Sequence, residues 1–278
     1  MNHHDTYGPW AVITGASDGI GRAIAGHAAA DGLHVVLAAR SAGKLEELAA
    51  ELSRTHGVQA RVVPVDLSRP DGAPTLLEAI DDLDVGLAVL AAGFGTIGPL
   101  ADASTADELE MIAVNVTAGA HLSAAFARRM VNRGRGGLVV FGSVLGWQGV
   151  PGQANYSATK AYVQALAEGL HRELKPQGVD VLCVAPGPVH TGFAARAGMT
   201  LRSATTPDVV ARATWAALGK RVTVVPGFQA KVMTGALKTL PRGARSAILG
   251  RVMATMRNRP GDDPPHPDRS GQPRRHGS

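Results

Sequence analysis

Residues 10–21 read WAVITGASDGIG, and this stretch decides the fold. An aliphatic run ends at Thr14, glycines follow at 15, 19 and 21, and the chain enters the alanine-rich GRAIAGHAAA of 21–30. The order is strand, turn, helix. Gly15 permits a sharp turn at the strand's end, Gly19 removes a side chain where a pyrophosphate would approach, and Gly21 lets the helix lie close to the strand. Unpaired N–H groups in the first helical turn favour an anion, which brings Ser17 and Ile20 into the candidate binding loop. A purely structural turn is the weaker reading, because strand and helix flank the glycines in the order dinucleotide binding requires.

The same rhythm continues outward. Aliphatic runs at Trp10–Thr14, His34–Ala39, Arg61–Val65, Gly86–Leu90, Leu138–Phe141, Val179–Val184 and Arg221–Val225 give seven candidate strands. Stretches such as GKLEELAAELSRTH and SATKAYVQALAEGLHREL lie between them and suit crossover helices. The runs do not alternate strictly between polar and apolar residues, as befits parallel strands covered by helices on both faces. The expected fold is α/β: one doubly wound, Rossmann-type domain over residues 10–227, with about seven parallel strands and right-handed crossovers. Residues 1–9 read as a flexible N-terminus, 228–257 as a basic amphipathic helical extension and 258–278 as a disordered tail.

Composition narrows the class. With 278 residues, 45% hydrophobic, 34 glycines and a single cysteine, the chain is neither disordered throughout nor a disulfide scaffold. Cys183 sits in the apolar VDVLCVAP, so a reducing, cytoplasmic setting is expected. The opening MNHHDTYGPW lacks the apolar core of a signal peptide, and no 18 consecutive apolar residues suggest a spanning helix. The formal +5 charge is regional: residues 1–208 hold 15 basic and 20 acidic side chains, whereas 209–261 hold 10 basic and none acidic. Within that segment Val232, Met233, Ala236, Leu237 and Leu240, then Ile248, Leu249, Val252, Met253 and Met256, recur at helical spacing. Packing onto the fold or a subunit contact is the first reading; an anionic membrane surface or an acidic carrier is the second. Nucleic acid is not expected as a partner, because aromatic side chains do not interleave the basic ones.

Candidate chemistry falls at the ends of the strands. Where an NAD site would place a ribose-binding carboxylate, the second strand ends in Ala39, Arg40 and Ser41; a guanidinium fork and a hydroxyl suit a 2′-phosphate, hence NADP(H). Asp66, with Leu67 beside it, ends the third strand and can accept from the adenine side or cap a helix. LAAG at 90–93 puts the small Ala92 and Gly93 where a nucleotide passes. Ser143 follows the fifth strand, and YSATK at 156–160 places Tyr156 and Lys160 on one helix face. A nearby ammonium lowers a phenol's pKa, and bringing it from about 10 to about 7 corresponds to roughly 4 kcal/mol. Tyr156 then exchanges a proton with a substrate oxygen, Ser143 holds that oxygen as charge develops, and Lys160 also donates to ribose hydroxyls. Asn115 interrupts the apolar MIAVNV and reads as a proton-relay water site or as a buried hydrogen bond in an irregular helix. Trp147, Gln148, Val150, His190, Phe193 and Met199 are candidate pocket neighbours, and no ligand spacing argues for a metal.

Together TGASDGIG (14–21), LAAG (90–93), Asn115, Ser143, YSATK (156–160) and PGPVHT (186–191) resemble the short-chain dehydrogenase/reductase family over about residues 10–227. The resemblance implies a catalytic tetrad of Asn115, Ser143, Tyr156 and Lys160. It also implies a cofactor edge at Pro186, Gly187, Val189 and Thr191, a homodimer or homotetramer, and a carbonyl or secondary-alcohol substrate. The basic extension resembles that of members acting on long-chain 3-ketoacyl and steroid ketones. A small polar alcohol or sugar as substrate, or a non-enzymatic dinucleotide-binding regulator, are the alternative readings. Two positions depart from the family pattern: Ala91 and Ala92 replace the frequent Asn-Ala pair, and Asp18 stands where NADP-preferring members often carry a basic residue.

Overall fold

The computed structural model describes residues 3–197 and 204–256. Seven strands, β1 (Trp10–Thr14), β2 (His34–Ala39), β3 (Ala60–Pro64), β4 (Val85–Leu90), β5 (Gly136–Phe141), β6 (Val179–Val184) and β7 (Thr223–Val224), form one sheet in the order β3-β2-β1-β4-β5-β6-β7. Every pairing is parallel. The helices are α1 (His3–Tyr7), α2 (Gly19–Ala30), α3 (Ala42–His56), α4 (Gly72–Glu78), α5 (Thr105–Ile112), α6 (Gly119–Arg133), α7 (Ala154–Leu174), α8 (Gly192–Arg196), α9 (Pro207–Ala217), α10 (Phe228–Lys238) and α11 (Arg242–Met256).

All seven expected strands form, with ends that move by a residue or two. β5 starts earlier than expected, at Gly136 and Gly137, whose missing side chains leave room for Met130 and Tyr7. Alternate residues of each strand face opposite helical layers. Val35 and Leu37 join Ile24, Leu45 and Val210 on one side, whereas Val36 and Ala38 join Leu76, Phe126 and Val163 on the other. That two-sided burial explains why the strands read as unbroken aliphatic runs. From β1 the chain winds outward through β2 and β3, then returns to β4 on the other side of β1. The resulting crevice lies at the carboxyl ends of β1 and β4, where ligands bind in doubly wound sheets.

The N-terminus corrects the expectation of flexibility. Residues 3–9 are part of the fold: Tyr7 is fully buried and donates to Asp180 at 2.7 Å. His3 bonds Asp31 at 2.8 Å and the Trp215 carbonyl at 3.1 Å. The short MNHHDTYGPW has too few apolar residues to advertise this, because its anchors are polar partners 28 to 212 residues away. The expected tail at 258–278 lies outside the described residues, as does Met199. The run Thr105–Arg133 has the length and mean hydropathy (1.2) of a membrane span. However, Met111, Leu122, Phe126 and Met130 are buried within the protein, so this is a core helix.

Candidate active site

The glycine loop meets two other segments at the sheet's carboxyl edge. Gly19 has φ +54°, and a β-carbon there would lie 2.6 Å from Thr191 Cγ2; any side chain would push apart the loops after β1 and β6. The same junction is tied by Asp18, whose carboxylate accepts from the Gly192 amide at 2.9 Å. Asp18 thus has a defined task, holding α8 to the glycine loop, at the position where a basic residue would meet a phosphate. Gly21 faces inward, and its β-carbon would fall on the Gly15 carbonyl oxygen.

A cavity of about 200 Å³ beside this loop gathers Gly15, Ser17, Arg40, Ser41, Asp66, Leu67, Ala92 and Gly93. All eight were singled out for the nucleotide, and together they fit its adenosine half: a guanidinium, two hydroxyls and a carboxylate around small residues. Asp66 Oδ1 accepts from the Ser68 amide at 3.0 Å and its hydroxyl at 2.8 Å. Burial raises its pKa, but the Ser68 bonds and the charges of Arg40 and Arg69 outweigh this and hold the carboxyl below its ordinary value. Two residues missed in the sequence complete the rim. Glu110 lies 3.6 Å from Arg40 and 2.8 Å from Arg196, and the Arg196 guanidinium stacks 3.5 Å from the Phe94 ring centre. No motif links positions 40, 110 and 196, which only the fold brings together.

Gly93 also lines a second cavity, of about 180 Å³, that holds the candidate reaction centre: Ser143, Tyr156 and Lys160, with Ile20, Pro186, Gly187, Val189 and Thr191 around them. Three segments position these groups. Ser143 is the extended residue after β5, and its Oγ accepts from the Leu145 amide at 3.2 Å. The Val144 amide donates to the Pro186 carbonyl at 3.1 Å, which joins the Ser143 loop to the Pro-Gly loop. Tyr156 and Lys160 project from one face of α7, with Lys160 Nζ 5.8 Å from the Tyr156 ring centre and donating to the Phe141 carbonyl at 2.9 Å.

Electrostatics in the protein alone differ from the expectation. Burial pushes the Tyr156 phenol up to about 12, partly offset by a hydrogen bond with Ser143. Burial pushes the Lys160 ammonium down to about 8, opposed by the nearby Cys183. The expected lowering of Tyr156 towards 7 by Lys160 is therefore absent in the protein alone: burial disfavours the charged form of both groups, and it dominates both shifts.

Asn115 lies in a π-helical turn, Ala113–Ala118, between α5 and α6. Its side chain is buried and bonded: Oδ1 accepts from the Phe94 amide at 3.1 Å, and Nδ2 donates to the Phe94 carbonyl at 2.9 Å and to Thr159 Oγ1 at 3.1 Å. The amide holds the loop after β4 against α7, the buried-bond alternative of the sequence reading. It shares a small cavity of about 30 Å³ with Lys160 rather than facing the larger one.

Of the expected pocket neighbours, Phe193 lines the reaction cavity and meets Tyr156 edge-on, with ring centres 5.7 Å apart. Trp147 and Gln148 line an adjoining cavity, Val150 packs in the core beside Tyr156, and His190 is exposed. The apolar wall comes instead from α10 and α11, through Met233, Leu249, Val252, Met253 and Met256. Their helical periodicity was visible in the sequence, but which face meets which cavity depends on the turn at Pro241 and on docking against residues 149–151. There Ser246 donates to the Gly149 carbonyl at 2.6 Å, and Gly250 packs against Pro151.

A parallel sheet with a glycine loop at its switch point, and a Ser–Tyr–Lys cluster at the neighbouring strand ends, define an oxidoreductase that binds a nicotinamide dinucleotide. The short chain dehydrogenase family model matches residues 9–201, and the chain belongs to that family. It is 32% identical over 260 residues to a 7beta-hydroxysteroid dehydrogenase of Clostridium sardiniense, spanning 92% of this chain and 100% of that protein. A very-long-chain 3-oxoacyl-CoA reductase of Neurospora crassa is 36% identical over 179 residues, 63% of this chain and 54% of that one. Among solved structures, one from work on 7beta-hydroxysteroid dehydrogenase stereoselectivity superposes with a TM-score of 0.84 at 28% identity, covering 90% of this chain and 100% of that one. A short-chain dehydrogenase from Sphingobium yanoikuyae in complex with NADPH gives 0.75 at 32% identity, covering 92% and 99%.

Proposed function

We propose that the protein is an NADP(H)-dependent oxidoreductase of bulky apolar ketones and their secondary alcohols, of the steroid or long-chain 3-ketoacyl type. The observation that carries this reading is the reaction cavity itself: Ser143 and Tyr156 open onto walls built from α10 and α11 methionines and aliphatic side chains. Similarity to hydroxysteroid and 3-oxoacyl-CoA oxidoreductases supports the substrate class, and Arg40 with Ser41 supports the phosphorylated dinucleotide.

When bound, the dinucleotide supplies or accepts the hydride. The protein's own groups manage the oxygen and its proton. Ser143 donates to the carbonyl oxygen as negative charge develops there. Tyr156 gives that oxygen a proton; a phenol pushed up to about 12 is fully protonated at neutral pH, which favours reduction. Lys160, as an ammonium, stabilises the phenolate left behind. Phe193 and the methionine wall exclude water, and Arg40 holds the 2′-phosphate.

The test is NADPH oxidation across steroid ketones, long-chain 3-oxoacyl thioesters and small polar ketones. The bulky apolar compounds should be the better substrates; turnover confined to the small polar ones would overturn the reading. Tyr156→Phe should keep dinucleotide binding but lose about 10²- to 10⁴-fold in turnover. Undiminished turnover would remove the proton-transfer assignment.

A further inference from the structure

Beside the reaction cavity lies another of about 170 Å³, formed between the segment after β5 and the two C-terminal helices. Val144 and Met233 line both cavities, so these two side chains are the partition between them. The second space differs in chemistry. Trp147, Gln148, Thr234, Lys238 and Arg245 contribute to its lining, and none of them is acidic. Residues 209–256 contain no Asp or Glu at all, so α10 and α11 offer no carboxylate of their own.

The donors here lack acceptors. Thr234 is 6% exposed and its Oγ1 has no hydrogen-bond partner; the Nε of Arg245 is likewise buried and unpaired. Gln148 is slightly more buried than Thr234 and commits its Nε2 to the Val144 carbonyl. Lys238 Nζ lies 5.7 Å from the Trp147 ring centre, and among the described residues neither Lys238 nor Arg245 forms an ion pair. Buried polar groups are ordinarily satisfied, and a hydroxyl and a guanidinium N–H left unpaired within the wall of one recess, which two cationic side chains line, call for an acceptor bearing negative charge. A carboxylate provides two acceptor oxygens in the plane a guanidinium fork matches.

We propose that this recess is a subsite for the anionic end of the substrate: a carboxylate carried by the same apolar ketone whose carbonyl reacts at Ser143 and Tyr156. The proposal rests on the ketone reading of the reaction cavity and narrows it to amphipathic keto acids. Met233 suits the partition, since its unbranched thioether can fill the boundary or yield to a ligand that crosses it.

The test uses a steroid ketone bearing a side-chain carboxylate and the methyl ester of the same compound. Binding to the full chain is followed by tryptophan fluorescence, with Trp147 in the recess wall, and turnover by NADPH oxidation. In the unaltered protein the acid should bind about tenfold or more tightly than the ester. The Lys238→Gln/Arg245→Gln double variant should erase that preference by weakening the acid alone, raising its KM with kcat little changed. Lys238→Arg, which keeps the charge, should retain most of it, and thermal melts establish that each variant is folded. Equal binding of acid and ester, or equal weakening of both in the double variant, would overturn the subsite. So would competition by acetate at the concentration at which the steroid acid binds, because the recess would then be a free-anion site. Binding of the acid that depends on Lys238 and Arg245 without turnover would refute the ketone-reductase reading while supporting the subsite. Turnover of both compounds without preference would refute the subsite alone.

Discussion

Replacing Asn115 by Ala isolates the role of its amide. The side chain makes three buried hydrogen bonds, to the Phe94 amide at 3.1 Å, the Phe94 carbonyl at 2.9 Å and Thr159 Oγ1 at 3.1 Å. Alanine removes all three and leaves a backbone N–H and a C=O in a space with room for little water. At about 1 kcal/mol per net bond, with up to about 3 for a stranded buried group, the expected loss is roughly 3 kcal/mol. For a domain of this size that is a fall in Tm of about 6–12 °C. Urea unfolding of the dinucleotide-free protein measures the loss. Asn115→Asp refines the test: a carboxylate still accepts from Phe94 N–H but places its second oxygen against the Phe94 carbonyl. Only the protonated acid can donate there, so the introduced carboxyl's pKa should rise in the folded state. A raised folded-state pKa contributes stability at low pH that is lost as pH climbs through it. The Asp variant should therefore lie nearer the unaltered protein at pH 5 than at pH 8. A loss below about 0.5 kcal/mol for Asn115→Ala would refute the account, as it would place the variant among neutral surface changes.

Arg40→Ala should raise the NADPH dissociation constant about tenfold to a hundredfold and leave NADH little changed, as read by cofactor fluorescence; equal effects would deny a 2′-phosphate contact. For Lys160, a folded-state pKa near 8 against an ordinary value of about 10.4 means that the ammonium penalises folding below pH 8 and that the penalty fades between about pH 8 and 10. Lys160→Met should accordingly be more stable than the unaltered protein at pH 7, by an amount that shrinks by pH 10. A β-carbon at Gly250 would lie 2.9 Å from Pro151 Cγ, so Gly250→Val should displace α11 and raise KM for bulky ketones more than for small ones. An equal effect on both would detach α11 from substrate recognition.

The sheet and the reaction centre were legible because each rests on local sequence. A strand covered on both faces is an aliphatic run, the glycine loop is contiguous, and Tyr156 and Lys160 are one helical turn apart. What escaped depends on distant partners. Tyr7 belongs to the core through a bond to Asp180, and nothing near residue 7 carries that information. Asp18 looked like a departure from phosphate recognition until its bond to the Gly192 amide gave it another purpose. The Arg40–Glu110–Arg196 contacts join three elements with no shared motif. Asn115 stands out in the sequence as a polar interruption, but its bonds to Phe94 and Thr159 depend on partners 21 and 44 residues away.

The division of charge acquires a structural meaning here. The candidate dinucleotide site is assembled at strand ends by residues up to Arg196, within the acidic part of the chain. The basic part contributes none of the groups at the reaction centre, yet through α10 and α11 it closes the reaction cavity and surrounds the adjoining recess. On the proposed reading such a segment would select which ketone reaches Tyr156, because its side chains complete the apolar wall opposite the reacting groups. Its lack of acidic residues would be a liability for a helix pair merely filling space, since like charges repel and nearby carboxylates would relieve them. It is an advantage where the compensating negative charge arrives with the substrate.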